Sequence, residues 1–299
     1  MTKTMLVTGC SSGLGISIAL QAAKSGMAVY ATMRDLSRQA ALKAAAVAAG
    51  ASFEIRCLDV TDTKTIDACV SEIMEKHGAI DVLVNNAGIG FARSTEQAPE
   101  SEIQGIMDVN FMGVVRCTKA VLPHMRKARS GRVVNISSVG GLAGQPFNEI
   151  YCASKFAVEG FTEALATYVG PAFGIHFTAI EPAGIASEFA NSVLAHIMAS
   201  GGILDDEYRP LLEKYIADAE ARGGAAENDP AHSVYQTPDD VARIVMECLR
   251  SQDPPIRMRT SDWAEELCDL KTASDPDGKK LRAKIVNMFM GGFEFLAAR

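Results

Sequence analysis

The chain is poor in the features that mark a metal protein, a nucleic-acid binder or a membrane protein. Its five histidines (His77, His124, His176, His196, His232) are scattered without ligand spacing, so no metal is expected. Its seven cysteines (Cys10, Cys57, Cys69, Cys117, Cys152, Cys248, Cys268) contain no Cys-x-x-Cys pair. An odd, spread set reads as reduced thiols and points to a cytoplasmic protein. Lys and Arg number 29 against 36 Asp and Glu, a net charge of −7, and no basic stripe stands out. That argues against nucleic acid as a partner. No run reaches the roughly 18 apolar residues of a transmembrane segment. The first strand pattern opens within a few residues of Met1, so no signal peptide is expected. There is no internal repeat, and the only biased stretch is Ala-rich, over 40–49.

What remains is a globular composition, 48% hydrophobic and 22% charged. A length of 299 residues suits one large α/β domain or two small ones. The most informative stretch is 135–155. A β-rich run (Arg132 to Ile136) ends in two serines, a glycine-rich loop follows, and a helical pattern then carries Tyr151 and Lys155. Those two share a helix face at i and i+4. Ser138 lies at the end of the preceding strand, where open α/β sheets hold their chemistry. A hydroxyl, a phenol and an ammonium there suit proton transfer to a carbonyl or alcohol oxygen. A free tyrosine has a pKa of about 10, and a nearby cation lowers it by favouring the phenolate. Lys155 is placed to be that cation. Alone, a Tyr-x-x-x-Lys pair equally suits a packed tyrosine and a solvated lysine.

The rest of the chain supplies context. Residues 4–8 form a short apolar strand, followed by Thr8, Gly9, Ser11, Ser12, Gly13, Leu14 and Gly15 and then an amphipathic helix. Strand, glycine loop and helix suit a pyrophosphate on the helix N-terminus; a plain strand-to-helix turn is the alternative. The second strand, 28–32, is followed by Met33, Arg34 and Asp35. An acid closing that strand would bind a ribose 2′-hydroxyl, but Met33 offers none, while Arg34 can pair with a 2′-phosphate. This favours NADP over NAD, against a solvated Arg34 with Asp35 as a helix cap. After the third strand (53–58), Asp59 and Val60 follow; Asp59 suits an adenine edge or a cap of the helix near Asp62. The fourth strand (80–84) ends in Asn85, Asn86, Ala87 and Gly88, small residues and amides suited to close cofactor approach. A long helix is expected over 99–126, with polar Asn110 among apolar neighbours, to be hydrogen-bonded at a kink or beside a relay water. A sixth strand (175–180) leads to Pro182, Gly184 and Ile185, whose backbone can meet a nicotinamide carboxamide.

The region 188–236 is less regular. Phe189, Val193, Ile197 and Met198 suit one helical face capped by Ser187, and Tyr208, Leu211, Leu212, Tyr215 and Ile216 suit another. With Gly201–Gly202 and Gly223–Gly224 as breaks, the segment is expected to be a helical lid. A helix follows over 238–249 and an edge strand over 256–259. The tail, 276–299, is basic and then apolar, and is expected to dock on its own domain or a dimer mate rather than a membrane surface.

Six strands alternating with helices imply a Rossmann-type doubly wound parallel sheet in a single domain over 1–299. Thr8-Gly9-x-x-x-Gly13-x-Gly15, Asn85 to Gly88, Asn110, Ser138 and Tyr151-x-x-x-Lys155, in that order, resemble the short-chain dehydrogenase/reductase family over about 4–245. Val29 to Arg34, Ser138 to Gly141 and Tyr151 to Ala157 look like the branch that holds estradiol 17-beta-dehydrogenase type 1 and photoreceptor retinol dehydrogenase. The resemblance implies an NADP(H)-dependent oxidoreductase interconverting a secondary or lipophilic alcohol and its carbonyl. It implies Tyr151 as general acid/base, Lys155 as the group that lowers its pKa and binds the nicotinamide ribose, Ser138 as holder of the substrate oxygen, and Asn110 as positioner of a relay water. It also implies a homodimer or homotetramer. Ser187 departs from the family's frequent Thr. The alternatives are an NAD-dependent alcohol dehydrogenase on a smaller substrate and a non-catalytic dinucleotide-sensing protein.

Overall fold

Met5, Leu6 and Val7 alternate between two faces of one sheet. Met5 and Val7 join one apolar cluster, Leu6 the other, and all three are fully buried. A strand covered on both faces needs that continuous apolar run. The structure, a computed structural model, describes residues 2–186, 204–225 and 234–290.

Seven parallel strands make the sheet: β1 (Thr4–Val7), β2 (Ala28–Met33), β3 (Glu54–Cys57), β4 (Val82–Asn85), β5 (Gly131–Ile136), β6 (Ile175–Glu181) and β9 (Arg257–Arg259), in the order β3-β2-β1-β4-β5-β6-β9. Helices α1 (Gly13–Lys24) and α8 (Pro238–Arg250) cover one face through Ile18, Val241, Val245 and Leu249. The other face takes α3 (Thr63–His77), α5 (Gly113–Ala128) and α6 (Glu149–Phe173) through Ile66, Val70, Val121 and Leu165. Helix α2 (Ala40–Ala49) joins β2 to β3, and α4 (Glu100–Met107) precedes α5. This is the doubly wound α/β architecture. From the centre the strand order runs outward both ways, so a crevice opens between the C-terminal ends of β1 and β4, where such sheets bind ligands.

Several elements differ from the sequence reading. The helix expected over 99–126 is broken: Asp108–Met112 forms a wider π turn between α4 and α5. Its cause is Asn110, buried at 0% exposure with its side chain bonded outside the helix. Asp59 does not cap α3; Asp62 does, accepting from Lys64 N–H at 2.9 Å. A two-stranded parallel ladder not foreseen joins β7 (Gly184–Ile185) to β8 (Tyr235–Gln236). Helix α7 (Arg209–Ala225) runs through Gly223 and Gly224 rather than stopping there. Each glycine costs only about 1 kcal/mol in a helix, too little to break one otherwise rich in good formers. Leu212 is buried in α7, but Leu211 points to solvent. The faces expected over 187–203 and the apolar residues from 291 lie outside the described residues. The basic start of the tail is helical, α10 (Lys279–Met290), and lies against α6 of its own chain. Helix α9 (Asp262–Thr272) packs under the turn after β5 through Ala264 and Cys268. Among the described residues no helix is long and apolar enough to cross a membrane.

Candidate active site

Strand β5 delivers Ser138 to the crevice, where it starts a one-turn 3-10 helix, Val139–Gly141. Its hydroxyl accepts from Gly140 N–H at 3.0 Å and donates to the Pro182 carbonyl at 3.5 Å. Across the loop, α6 presents Tyr151 and Lys155 on one face. The Lys155 ammonium is 5% exposed and donates to the Ile136 carbonyl at 2.9 Å. Its nitrogen stands 5.6 Å from the centre of the Tyr151 ring. The three residues therefore converge where β5 ends.

Their electrostatics are set by burial. It pushes the Tyr151 phenol up to about 12, with a hydrogen bond from Ser138 opposing. It pushes the Lys155 ammonium down to about 8, with Glu159 opposing. The pocket thus favours a neutral phenol, and Ser138 is the group that eases the phenolate. Lys155 lies over the ring and bonds a carbonyl.

Asn110 is spent on local structure. Its Oδ1 accepts from Ile89 N–H at 2.8 Å, and its Nδ2 donates to the Ile89 carbonyl at 2.9 Å and to Ser154 Oγ at 3.2 Å. It staples the loop after β4 to α6. A Cβ on Gly88 would touch both Asn110 Oδ1 at 3.4 Å and Lys155 Nζ at 3.7 Å, so Asn110 and Lys155 flank the same backbone.

The glycine loop is locked to the end of β4. Thr8 Oγ1 accepts from Asn86 and Ala87 N–H, both at 3.0 Å, while Asn86 Nδ2 donates to the Thr8 and Gly9 carbonyls at 2.8 and 3.1 Å. Gly9 has φ +73°, and a Cβ there would stand 2.7 Å from Ala87 Cα. At Gly15 a Cβ would meet the Gly9 carbonyl oxygen at 2.3 Å. Ser11, Ser12 and Gly13 turn into α1; Leu14 is buried beneath them. Ser12 makes no side-chain cap, and no acid stands in the first turn of α1. Its N–H groups are therefore left for an anion. Arg34 is exposed at the end of β2, whereas the Asp35 carboxylate is taken by Ser37 N–H at 2.9 Å. That donor set fits a dinucleotide with a further phosphate on its ribose. Asp59 is held by the Thr61 N–H and hydroxyl at 2.9 and 2.7 Å, and Val60 packs on Gly113. Pro182 accepts from Val139 N–H at 2.9 Å, and Gly184 and Ile185 are pinned by β8.

Sequence reasoning missed three groupings. Asn85 Nδ2 donates to Asn135 Oδ1 at 2.8 Å, tying β4 to β5 under the site. Asn148, just ahead of α6, donates to the Tyr215 phenol oxygen on α7 at 2.8 Å. Glu159, Glu181 and Arg259 are buried together behind Ser138. Only the first had a signal, an Asn at or next to the end of each of two apolar strands.

The short chain dehydrogenase family profile matches residues 3–197. The chain is 38% identical to retinol dehydrogenase 8 of Bos taurus, over 92% of this chain and 86% of that one. It is 36% identical to 17-beta-hydroxysteroid dehydrogenase type 1 of Homo sapiens, over 93% and 83%. Its fold is similar to a solved structure of actinorhodin polyketide ketoreductase with NADPH, at a TM-score of 0.72 and 28% identity over 87% of this chain and 96% of that one.

Proposed function

The chain belongs to the short-chain dehydrogenase family, an oxidoreductase acting on CH–OH groups, and on that footing we propose that it uses NADP(H) to interconvert a bulky lipophilic alcohol, retinoid- or steroid-like, and its carbonyl. The observation that carries this reading is the convergence of Ser138, a half-buried Tyr151 and Lys155 beside its ring at the end of β5. The bound nicotinamide supplies or accepts the hydride.

The chain's own residues do the rest. Tyr151 gives its phenolic proton to the nascent alkoxide in reduction and takes it back in oxidation. A phenol kept neutral by burial is suited to the acid role. Ser138 donates its one hydroxyl proton to the substrate oxygen. Lys155 holds the nicotinamide ribose and adds positive charge as the phenolate develops. Asn110 fixes the Ile89 loop and so orients a relay water behind Lys155. Gly9, Ser11, Ser12, Gly13 and the first turn of α1 hold the pyrophosphate, and Arg34 the 2′-phosphate. Asp59 and Val60 border the adenine; Asn86 to Gly88 lie along the nicotinamide ribose; Pro182, Gly184 and Ile185 border the carboxamide.

Helix α7 and the turn that precedes it serve as a lid. Tyr208 donates to Glu96 Oε2 at 2.7 Å, Gln97 to Asp206 Oδ2 at 2.6 Å, and Phe147 meets the Tyr215 ring at 5.8 Å between centres. The last pair gives the cleft an aromatic wall suited to a lipophilic substrate. Phe156 and Tyr168 on α6, 41% and 48% exposed, suit a homodimer or homotetramer contact.

The test is the initial rate of NADPH oxidation with a steroid ketone, retinal and a compact ketone, repeated with NADH. Faster turnover of the bulky carbonyls with NADPH is expected. A preference for the compact ketone rejects the lipophilic pocket, and no turnover of any rejects the reaction.

A further inference from the structure

The chain leaves the sheet after β6 and returns to it at α8, and the proposed lid lies between. The two ends of that excursion meet in the ladder of β7 and β8. Gly184 pairs with Tyr235, Ile185 pairs with Gln236, and Ala186 N–H donates to the Gln236 carbonyl at 2.9 Å. Two strands this short do not hold each other alone. Each is anchored from outside the ladder. Ile185 packs against the apolar cluster that α1 and α8 share. Tyr235 closes over Gly184: a Cβ there would stand 2.7 Å from Tyr235 Cδ1 and 3.1 Å from the Val234 carbonyl oxygen. Gly184 is not left-handed, so it is the ring that requires a glycine.

Gln236 supplies the remaining anchor. Its Nε2 donates to the Thr260 carbonyl at 2.6 Å, and its Oε1 accepts from the Thr260 hydroxyl. A side-chain amide carries a donor and an acceptor side by side, so it can take both groups of one residue. Thr260 directly follows β9, the edge strand beside β6, and is 5% exposed. On the other side of Gln236, Thr237 caps α8: its hydroxyl accepts from Asp240 N–H at 3.1 Å. Helix α8 is held to α1 by Gln21, which donates to the Asp239 carbonyl at 2.9 Å. Gln236 therefore ties the Gly184–Ile185 segment to two fixed bodies. One is the edge of the main sheet. The other is the helix packed on α1, whose N-terminus faces the crevice.

We propose that Gln236 and Thr260 are positioning residues: their paired hydrogen bonds clasp the base of the lid and hold Gly184 and Ile185 where they border the nicotinamide carboxamide. The clasp stands on its own contacts; its bearing on hydride transfer rests on the function proposed above. A loosened Gly184–Ile185 segment lets the nicotinamide drift from the reacting carbon. Misplacement of that kind slows the chemical step more than it weakens binding, because the pyrophosphate and the 2′-phosphate are held elsewhere.

Thr260→Val removes the hydroxyl at nearly constant shape, and Thr260→Ser keeps it. In hydrogen exchange of the protein without cofactor, the Ala186 amide of Thr260→Val is expected to exchange about fivefold faster than in wild type, the worth of one hydrogen bond in opening the ladder. The amides of β5 and β6 are expected to exchange as before. In carbonyl reduction, kcat is expected to fall roughly tenfold while Kd for NADPH stays within about twofold. The isotope effect from NADPH deuterated at the transferred hydrogen is expected to grow. A residue that only stabilised the fold would leave that isotope effect alone. Thr260→Ser is expected to match wild type in each measurement, and Gln236→Met to repeat Thr260→Val. Wild-type exchange at Ala186 in both Thr260→Val and Gln236→Met overturns the clasp. Faster exchange with kcat and the isotope effect unmoved overturns its part in hydride transfer. If the wild type reduces no carbonyl, the assigned reaction fails, and the exchange measurement still decides the clasp.

Discussion

Asn148 donates to the Tyr215 phenol oxygen at 2.8 Å, which ties the residue before α6 to the helix proposed to cover the cleft. Neighbouring Phe147 sits at φ +58°, a left-handed conformation that a bulky side chain rarely adopts, while its ring meets Tyr215. Strain of this kind persists where surrounding contacts enforce it. The position of α7 is thus fixed against the two residues that precede α6.

Tyr215→Phe keeps the ring contact and removes the hydrogen bond, worth about 1 kcal/mol. KM for a bulky ketone is expected to rise roughly fivefold, with NADPH affinity unchanged. Steady-state kinetics with a titration of NADPH fluorescence checks this; an unchanged KM would mean that α7 does not border the substrate.

Arg34→Ala removes the exposed cation at the end of β2. A charge-assisted hydrogen bond is worth about 2 kcal/mol, so NADPH affinity is expected to fall roughly thirtyfold. NADH affinity is expected to stay within about twofold. Equal losses for both cofactors would point to Asp35 or the backbone as the recognition element.

Lys155 titrates near 8 when folded against 10.5 when free. In that window the unfolded chain binds more protons, so this residue makes stability rise with pH from about 8 upward. Tyr151 acts oppositely: its folded value of about 12 exceeds 10, so it lowers stability between those values. Urea midpoints of wild type and Lys155→Met between pH 8 and 10 check the first sign. The difference is expected to move toward wild type by roughly 2 kcal/mol over that range.

Much of this was legible in the sequence because it is local. Apolar strand runs, the glycine loop after Val7 and the i, i+4 pair on α6 carry their own geometry. The bonded Asn110 was legible as well, since a polar residue inside an apolar helix must find partners. Glu159 was not. A Glu one turn after a Lys reads as a solvated ion pair, and its burial depends on Glu181 and on Arg259, far along the chain. Asn148 and Tyr215 were hidden for the same reason: their meeting is set by the path between α6 and α7, where no local pattern speaks.

The most direct test of the proposed chemistry is Tyr151→Phe, which keeps the ring and removes the phenolic proton. Carbonyl reduction by NADPH, followed as loss of cofactor absorbance, is expected to fall roughly 100- to 10,000-fold, the span of general acid catalysis. NADPH binding and the melting curve are expected to stay as in wild type. Turnover within a few fold of wild type would contradict Tyr151 as the acid and leave Ser138 or a bound water to supply the proton.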